Sequence, residues 1–237
     1  MKVLVIGSSG FIGQALVSRL LAEGHEVEAW DRREGEARPG LTLRTVDLLG
    51  PAPLPLPEGR PWEAAFHLAA HAVPGVTWTR DLVMQNLAMT ARAFDHLAEH
   101  APGCRAIFAS SAFVYAPTPD PVREDAPLGS IHPYALSKQL GEAWALSHRN
   151  DLRVFIVPSG RIWNLCSGRA TPVAELVHAV LDAMHLSTEV CFADPAQEAL
   201  VGDPTRLMGD TGWSPRRSLR DTVAAILRVS PGTATSP

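Results

Sequence analysis

Lys2-Val3-Leu4-Val5-Ile6 is a short apolar run rich in β-branched residues, the pattern of a strand buried on both faces. It gives way at Gly7 to a glycine-bearing turn. A periodic segment follows with Ile12, Leu16, Leu20 and Leu21 on one face, and Gly24 stands where such a helix stops. Glu26 to Trp30 reads as a second strand ending at Asp31, which completes a strand–helix–strand unit. The alternation continues. Strands are predicted over Thr42 to Val46, Ala64 to Ala69, Arg105 to Ser110 and Leu152 to Val157, with helices over Leu82 to His100 and from Pro133 to about His148. Pro51, Pro53, Pro55, Pro57 and Pro61 make residues 50–61 a loop, and a second Pro-rich loop covers 116–133. Repeated strand–helix alternation predicts an α/β fold, a doubly wound parallel sheet with helices on both faces.

The last third is less regular. A strand is predicted over Ile162 to Cys166, an amphipathic helix over Pro172 to Met184, a short strand over Glu189 to Ala193 and a final helix over Ser218 to Arg228. The tail 230–237 is Pro, Thr, Ser and Gly, and is expected to be flexible.

Composition narrows the classes. At 46% hydrophobic and 19% charged residues with net charge −4, the chain is too apolar and too weakly charged for disorder. No apolar run approaches the ~18 residues of a membrane span. The first residues enter the fold without a basic leader, so no signal peptide is expected. The mild acidity does not fit a nucleic-acid surface. Cys104, Cys166 and Cys191 have neither metal nor disulfide spacing, which fits a reducing cytoplasm. Of the 237 residues two are Tyr and two are Lys, and one of each falls at Tyr134 and Lys138.

Gly7, Gly10 and Gly13 lie between the first strand and its helix. The first permits a tight turn, the second lets backbone approach a pyrophosphate, and the third lets helix and strand pack closely. The helix N-terminus offers free N–H groups to phosphates. Asp31, at the end of the second strand, can bind both ribose hydroxyls of NAD. Arg32 and Arg33 beside it leave NADP open as the alternative.

Tyr134 and Lys138 are one turn apart and share a helix face. Ser111 lies just beyond the strand Ile107-Phe108-Ala109, at the end of the sheet where ligands bind. An ammonium beside a phenol favours phenolate, so Tyr134 is expected to have a lowered pKa and to exchange a proton with a substrate hydroxyl or carbonyl. Ser111 can orient the same oxygen while a nicotinamide exchanges hydride with the carbon.

The chain resembles the extended short-chain dehydrogenases/reductases, within the NAD-dependent epimerase/dehydratase family that acts on nucleotide sugars. The resemblance runs over about residues 1–228. It is carried by Gly7 to Gly13, Asp47-Leu48, His67-Leu68-Ala69-Ala70, Asn86 to Thr90, Ser110 to Tyr115 and Tyr134 to Lys138. It continues in Trp163 to Gly168, Val201 to Pro204 and Gly212 to Leu219. It implies a Rossmann domain over 1–160 and a reduced C-terminal substrate-binding portion over 161–229. It implies Tyr134 as acid/base, Lys138 as its support on the nicotinamide ribose, and Ser111 on the substrate oxygen. Asp47 and Leu48 would flank the adenine, and Leu68, Ala69 and Ala70 would line the dinucleotide path. Ser9, Phe11, Ile12, Asn86 and Pro158 would complete the cofactor contacts. A homodimer built on the helix that carries Tyr134 would be usual for such a chain.

Three departures bear on the substrate. Dehydratases of the family carry an acid directly after the active-site Ser or Thr, where this chain has Ala112 and then Phe113, so epimerisation or ketone reduction fits better. Several tens of residues of the family's substrate-binding insertion are absent after Ile156-Val157-Pro158-Ser159. Asp194-Pro195-Ala196-Gln197-Glu198 has two acids where the family usually places an Arg for the sugar-nucleotide diphosphate. The resemblance implies a small-molecule substrate, a nucleotide sugar or a related sugar. The alternative is a dinucleotide-binding protein with little or no catalysis. His96-Leu97-Ala98-Glu99-His100 matches a zinc-protease string, but its position at a helix end fits the helix dipole better, and no metal is expected. His67 and His71 read as structural, Tyr115 as packing beside the cofactor site, and Cys166 and Cys191 as buried thiols.

Overall fold

A computed structural model describes residues 1–71, 77–129, 132–157, 163–188, 190 and 201–229. It falls into two compact units, one of Met1–Ala116 with Glu124–Asn164, the other of Pro117–Arg123 with Leu165–Pro237.

The first unit is a Rossmann sheet. Its elements are β1 (Lys2–Ile6), α1 (Phe11–Ala22), β2 (Glu26–Asp31), β3 (Leu41–Thr45), β4 (Ala64–His67), α2 (Arg80–His100), β5 (Arg105–Ala109), α3 (Pro133–Ser147) and β6 (Arg153–Val157). The order is β3-β2-β1-β4-β5-β6, and every pairing is parallel. Strand order reverses between β1 and β4, which opens a crevice at their carboxyl ends.

The continuous apolar run of β1 has a two-sided explanation. Val3 and Val5 point to the layer of α1 with Val17, Leu20, Val27 and Ala29. Leu4 and Ile6 point to the other layer, with Trp30, Phe94, Leu97 and Phe108. The buried face of α1 is Gly13, Val17 and Leu20, while Ile12 is exposed. The predicted Ile12 face is therefore rotated by part of a turn, because Gly13, lacking a side chain, is the residue that sits against the preceding turn.

Periodicity does not reveal the polar heart of one layer. Glu28, buried in mid-strand, accepts from Trp30 Nε1 at 2.9 Å and Trp62 Nε1 at 3.0 Å. Lys2 Nζ lies 3.9 Å away and donates to the Glu58 carbonyl at 2.6 Å. Trp30 and Trp62 meet edge to face at 5.4 Å, an arrangement that adds to their burial. The proline-rich loop is anchored on this cluster. His96 packs against both indoles, and its Nε2 meets the Pro55 carbonyl at 3.0 Å. Burial holds its pKa below the usual histidine range. Among the described residues no group of three or more His, Cys, Asp or Glu is placed to hold a metal ion. Burial likewise pushes the Cys104 thiol up to about 12.

The second unit contains α4 (Val173–Met184), α5 (Thr205–Thr211) and α6 (Leu219–Val229). Arg220 Nη2 on α6 lies 3.1 Å from Asp182 Oδ2 on α4. Val122 pairs with Gly202 in an isolated bridge, and Asp203 Oδ1 accepts from the Thr205 amide at 2.9 Å, starting α5. No periodic pattern announces α5, a seven-residue helix. Residues 163–166 form no strand. Trp163 instead stacks on Phe155 at 5.8 Å, and the Asn164 amide donates to Glu124 Oε1 at 2.9 Å. Cys166 is half-buried outside any strand. Cys191 and all but Val190 of the strand predicted over Glu189 to Ala193 lie outside the described residues. No described helix is long and apolar enough to cross a membrane.

Candidate active site

A cleft of about 400 Å³ opens at the crevice between β1 and β4. Gly7, Gly10, Asp31, Arg32, Asp47, Leu48, Leu68, Ala69 and Ala70 line it, together with Trp30, Arg33 and His71. Gly7 has φ +86°, and a Cβ there would stand 2.7 Å from the Ala69 amide nitrogen, so the turn can lie against the end of β4 only as glycine. Gly13 is tighter still, with an added Cβ 2.3 Å from the Gly7 carbonyl oxygen. Gly10 caps α1, and Phe11 and Ile12 form its exposed first turn.

Asp31 is braced for a ligand. Its Oδ2 accepts from the Ser9 amide at 3.0 Å and its Oδ1 from the Arg33 amide at 3.1 Å. Partial burial raises its pKa, but the hydrogen bonds from Ser9 and Arg33 and the charge of Arg33 outweigh that and hold it below the usual carboxylate range. Arg33 is folded back, with Nε donating to Ser9 Oγ at 3.1 Å.

Two side chains support the cleft from α2. Asn86 is buried and outside the lining. Its Oδ1 accepts from the His71 amide at 2.7 Å, and its Nδ2 donates to the His71 carbonyl at 3.2 Å and to Ser137 Oγ at 3.0 Å. It thereby fastens the segment after β4 to α3. Arg92 donates to the carbonyls of Leu48, Gly50 and Ala52, holding the segment after Asp47. Sequence reasoning missed Arg92, and the available signal was a guanidinium set between Ala91 and Ala93 on a packed helix. Pro158 lies outside the described residues.

The second half of the site gathers at the carboxyl end of β5. Ser111 begins a 3-10 turn over Ala112–Val114, and its Oγ accepts from the Phe113 amide at 3.2 Å. Tyr134 sits in the first turn of α3, where its amide donates to His132 Nδ1 at 3.2 Å and the Ser111 side chain is near enough to its phenol to pull its pKa down. One turn on, Lys138 is 4% exposed. Its Nζ donates to the Ala109 carbonyl at 2.7 Å and lies 4.9 Å from the Phe108 ring centroid and 5.9 Å from that of Tyr134.

The expected lowering of the Tyr134 pKa is not found. Burial pushes the phenol up, and the Ser111 side chain only partly offsets it. The ammonium donates to the Ala109 carbonyl and lies nearer the Phe108 ring than the Tyr134 ring. Burial lowers Lys138 itself to about 8, against the pull of Glu142. Glu142 is buried one turn beyond Lys138 and accepts from Ser110 Oγ. Under Phe108, His67 is fully buried and neutral, its pKa lowered to about 3 by burial and by the charge of Lys138. Thr90 Oγ1 donates to the Asn86 carbonyl at 3.0 Å, so it accepts from His67 Nε2–H at 3.2 Å. Tyr115 is buried away from the cleft lining, its hydroxyl 3.2 Å from Asn164 Oδ1.

A model of the NAD dependent epimerase/dehydratase family matches residues 3–217. The chain belongs to that family. Among curated relatives of the epimerase/dehydratase kind, a UDP-glucose 4-epimerase of Mycolicibacterium smegmatis is 32% identical over 169 residues, covering 63% of this chain and 52% of the relative. The chain thus spans about half the length of that relative. The uncharacterized UDP-glucose epimerase YtcB of Bacillus subtilis is 26% identical over 267 aligned positions, covering 97% of this chain and 82% of the relative. Those positions outnumber the 237 residues of this chain, so YtcB carries internal stretches with no counterpart here. A solved structure of MoeE5 in complex with UDP-glucuronic acid and NAD has the same fold, with TM-score 0.78 and 21% identity over 96% of this chain and 99% of that one.

Proposed function

We propose that this protein is an NAD-dependent epimerase or oxidoreductase acting on a nucleotide sugar or a related sugar through Ser111, Tyr134 and Lys138. The observation that carries the reading is the approach of Ser111 and Tyr134, with Lys138 buried beside them, at the carboxyl end of β5, the same end of the sheet as the glycine-walled cleft. The cleft fits a dinucleotide. Gly7 and Gly13 leave room that a Cβ would fill, the first turn of α1 would meet phosphates, and Asp31 would offer an ionised acceptor to ribose hydroxyls. When bound, NAD would supply reversible hydride exchange with a carbinol carbon, oxidation in one direction and reduction in the other. Tyr134 accepts the hydroxyl proton in the first direction and gives it back in the second. Ser111 holds the substrate oxygen, and Lys138 carries positive charge beneath it. Ala112 supplies no acid for elimination of water, so epimerisation and ketone reduction are favoured over dehydration.

The named relatives supply the probes. With NAD and UDP-glucose, proton NMR is expected to show the 4-epimer accumulating to equilibrium. A second reading, dinucleotide binding without turnover, is favoured by the stretches of YtcB that have no counterpart here. Tight NAD binding with no reaction across a panel of UDP-, GDP- and dTDP-sugars would establish that reading instead.

Cofactor choice follows from Asp31. Its carboxylate repels a 2′-phosphate, and Arg33 is turned back on Ser9, so NAD is expected to bind at least about tenfold more tightly than NADP. Calorimetric titration with both, repeated on Asp31→Ser, checks this, and the ratio should shrink in the variant.

The same reading includes a homodimer through α2 and α3. Leu136, Leu140 and Trp144 form an exposed stripe at four-residue spacing on α3, with Met84 exposed on α2. Leu140→Glu is expected to convert a dimer to a monomer in light scattering without loss of NAD binding. A monomeric wild type would refute it.

A further inference from the structure

Four rings from three separate segments, Trp78, Phe113, His132 and Tyr134, are linked in a chain of ring contacts. Trp78, from the segment before α2, lies 5.2 Å from the Tyr134 ring at 45° and 6.1 Å from His132 at 73°. His132 caps α3, and Phe113 lies 6.4 Å from it in a nearly parallel arrangement at 29°. Because His132 Nδ1 accepts from the Tyr134 amide, its ring is fixed relative to the acid/base residue. Because the Phe113 amide donates to Ser111 Oγ, the backbone that carries the phenyl is tied to the hydroxyl assigned to the substrate oxygen. Phe113 is nevertheless 63% exposed, and His132 is exposed as well.

A single exposed phenyl is ordinary on a protein surface. A phenyl turned outward at the end of a chain of ring contacts, tied to one reacting group and leading to the other, is a prepared apolar surface. In this chain Phe113 follows Ala112 directly, so the wall beside Ser111 is aromatic rather than acidic.

We propose that Phe113, His132 and Trp78 form an aromatic ledge that receives a ring of the substrate by its flat face, placing the adjoining carbinol or carbonyl carbon beside Ser111 and Tyr134. The substrate class is a secondary alcohol or ketone within a ring or one bond from it. The shared chemistry is a flat apolar ring face, which a pyranose of a nucleotide sugar and an aryl group both possess. The ledge sets specificity and takes no part in proton transfer. This rests on the reading of Tyr134 as the acid/base.

The test uses the full chain loaded with NAD, with UDP-glucose and 1-phenylethanol as separate probes. Saturation-transfer NMR is expected to place the strongest protein contact on the pyranose protons of the first or the phenyl protons of the second, and which probe responds identifies the source of the ring. Phe113→Ala is expected to raise KM for the responding probe about five- to tenfold with little change in kcat. Trp78→Ala should do the same, with recovery in Trp78→Phe, and NAD affinity and thermal unfolding of Phe113→Ala should match wild type. Unchanged KM in both alanine variants, saturation confined to the nucleoside, or failure of both probes to bind would overturn the ledge. Tyr134→Phe separates the two claims, since it should abolish turnover while leaving ring contact intact. Turnover surviving in it would defeat the acid/base reading, and the ledge would then stand or fall on the binding measurement.

Discussion

Tyr134→Phe is expected to lower kcat by roughly a thousandfold, within the range set by loss of a positioned proton carrier, while NAD binds as before. The substitution removes one oxygen from a half-buried ring. The packing of Trp78 against that ring remains, and so do the amide bond to His132 and the Lys138 contact with the Ala109 carbonyl. Stopped-flow kinetics with calorimetric NAD binding checks both halves, and a kcat near wild type removes Tyr134 from the chemistry. The pH profile gives a separate reading. In the free protein burial raises the Tyr134 phenol and lowers Lys138 to about 8. Lys138 therefore carries its charge below about pH 8 and loses it above. If that charge supports proton transfer at Tyr134, kcat/KM, which reports the free enzyme, falls on the alkaline side near that value. Glu142→Gln removes the group that holds Lys138 up, so the fall should move to lower pH.

The legible and illegible parts of this molecule divide by the range of the interactions. The run Lys2 to Ile6, the alternation after it and the glycines at 7, 10 and 13 are local patterns, and they place β1, α1, β2 and the cleft correctly. Tyr134 and Lys138 are also local, one helical turn apart, and Ser111 follows from the end of a strand. What depends on distant residues meeting in space escaped. Glu28 reads as one polar residue in a strand, and only the fold shows two indoles donating to it. Arg92 closes on carbonyls some forty residues earlier. The upward shift of the Tyr134 pKa depends on burial, which a four-residue spacing does not reveal. Likewise Trp78 and His132 carry no signal in the sequence, and Phe113 reads only as the residue after Ala112, until three segments bring the rings together.

Gly13→Ala is expected to destabilise the protein and to cost it at least about a hundredfold in NAD affinity, against the direction that helix propensity alone gives. Gly13 is the third residue of α1, and alanine is better than glycine in a helix interior by about 1 kcal/mol. The steric term opposes this and is larger. The added Cβ would stand 2.3 Å from the Gly7 carbonyl oxygen and 2.8 Å from Ser8 C and Cα. These are backbone atoms that no rotamer change can move, and overpacking of this kind costs about 1–3 kcal/mol or more. Relief requires α1 to move off the turn, and that turn is the surface that would meet the diphosphate, so stability and binding should fall together. Two other glycines separate the causes. At Gly10 an added Cβ is 3.3 Å from the Gly7 carbonyl oxygen, and that is its only near contact, so Gly10→Ala should fold nearly as wild type and still bind NAD weakly by crowding the phosphates. At Gly24, φ is +75° and nothing lies within 4 Å, so Gly24→Ala should lose only the roughly 1–2 kcal/mol of a left-handed alanine, with NAD affinity intact. Urea unfolding and NAD titration of the three variants check the ordering. Wild-type NAD affinity in Gly13→Ala would mean that the turn bends where the backbone contacts say it cannot, and the dinucleotide would then have to be held elsewhere.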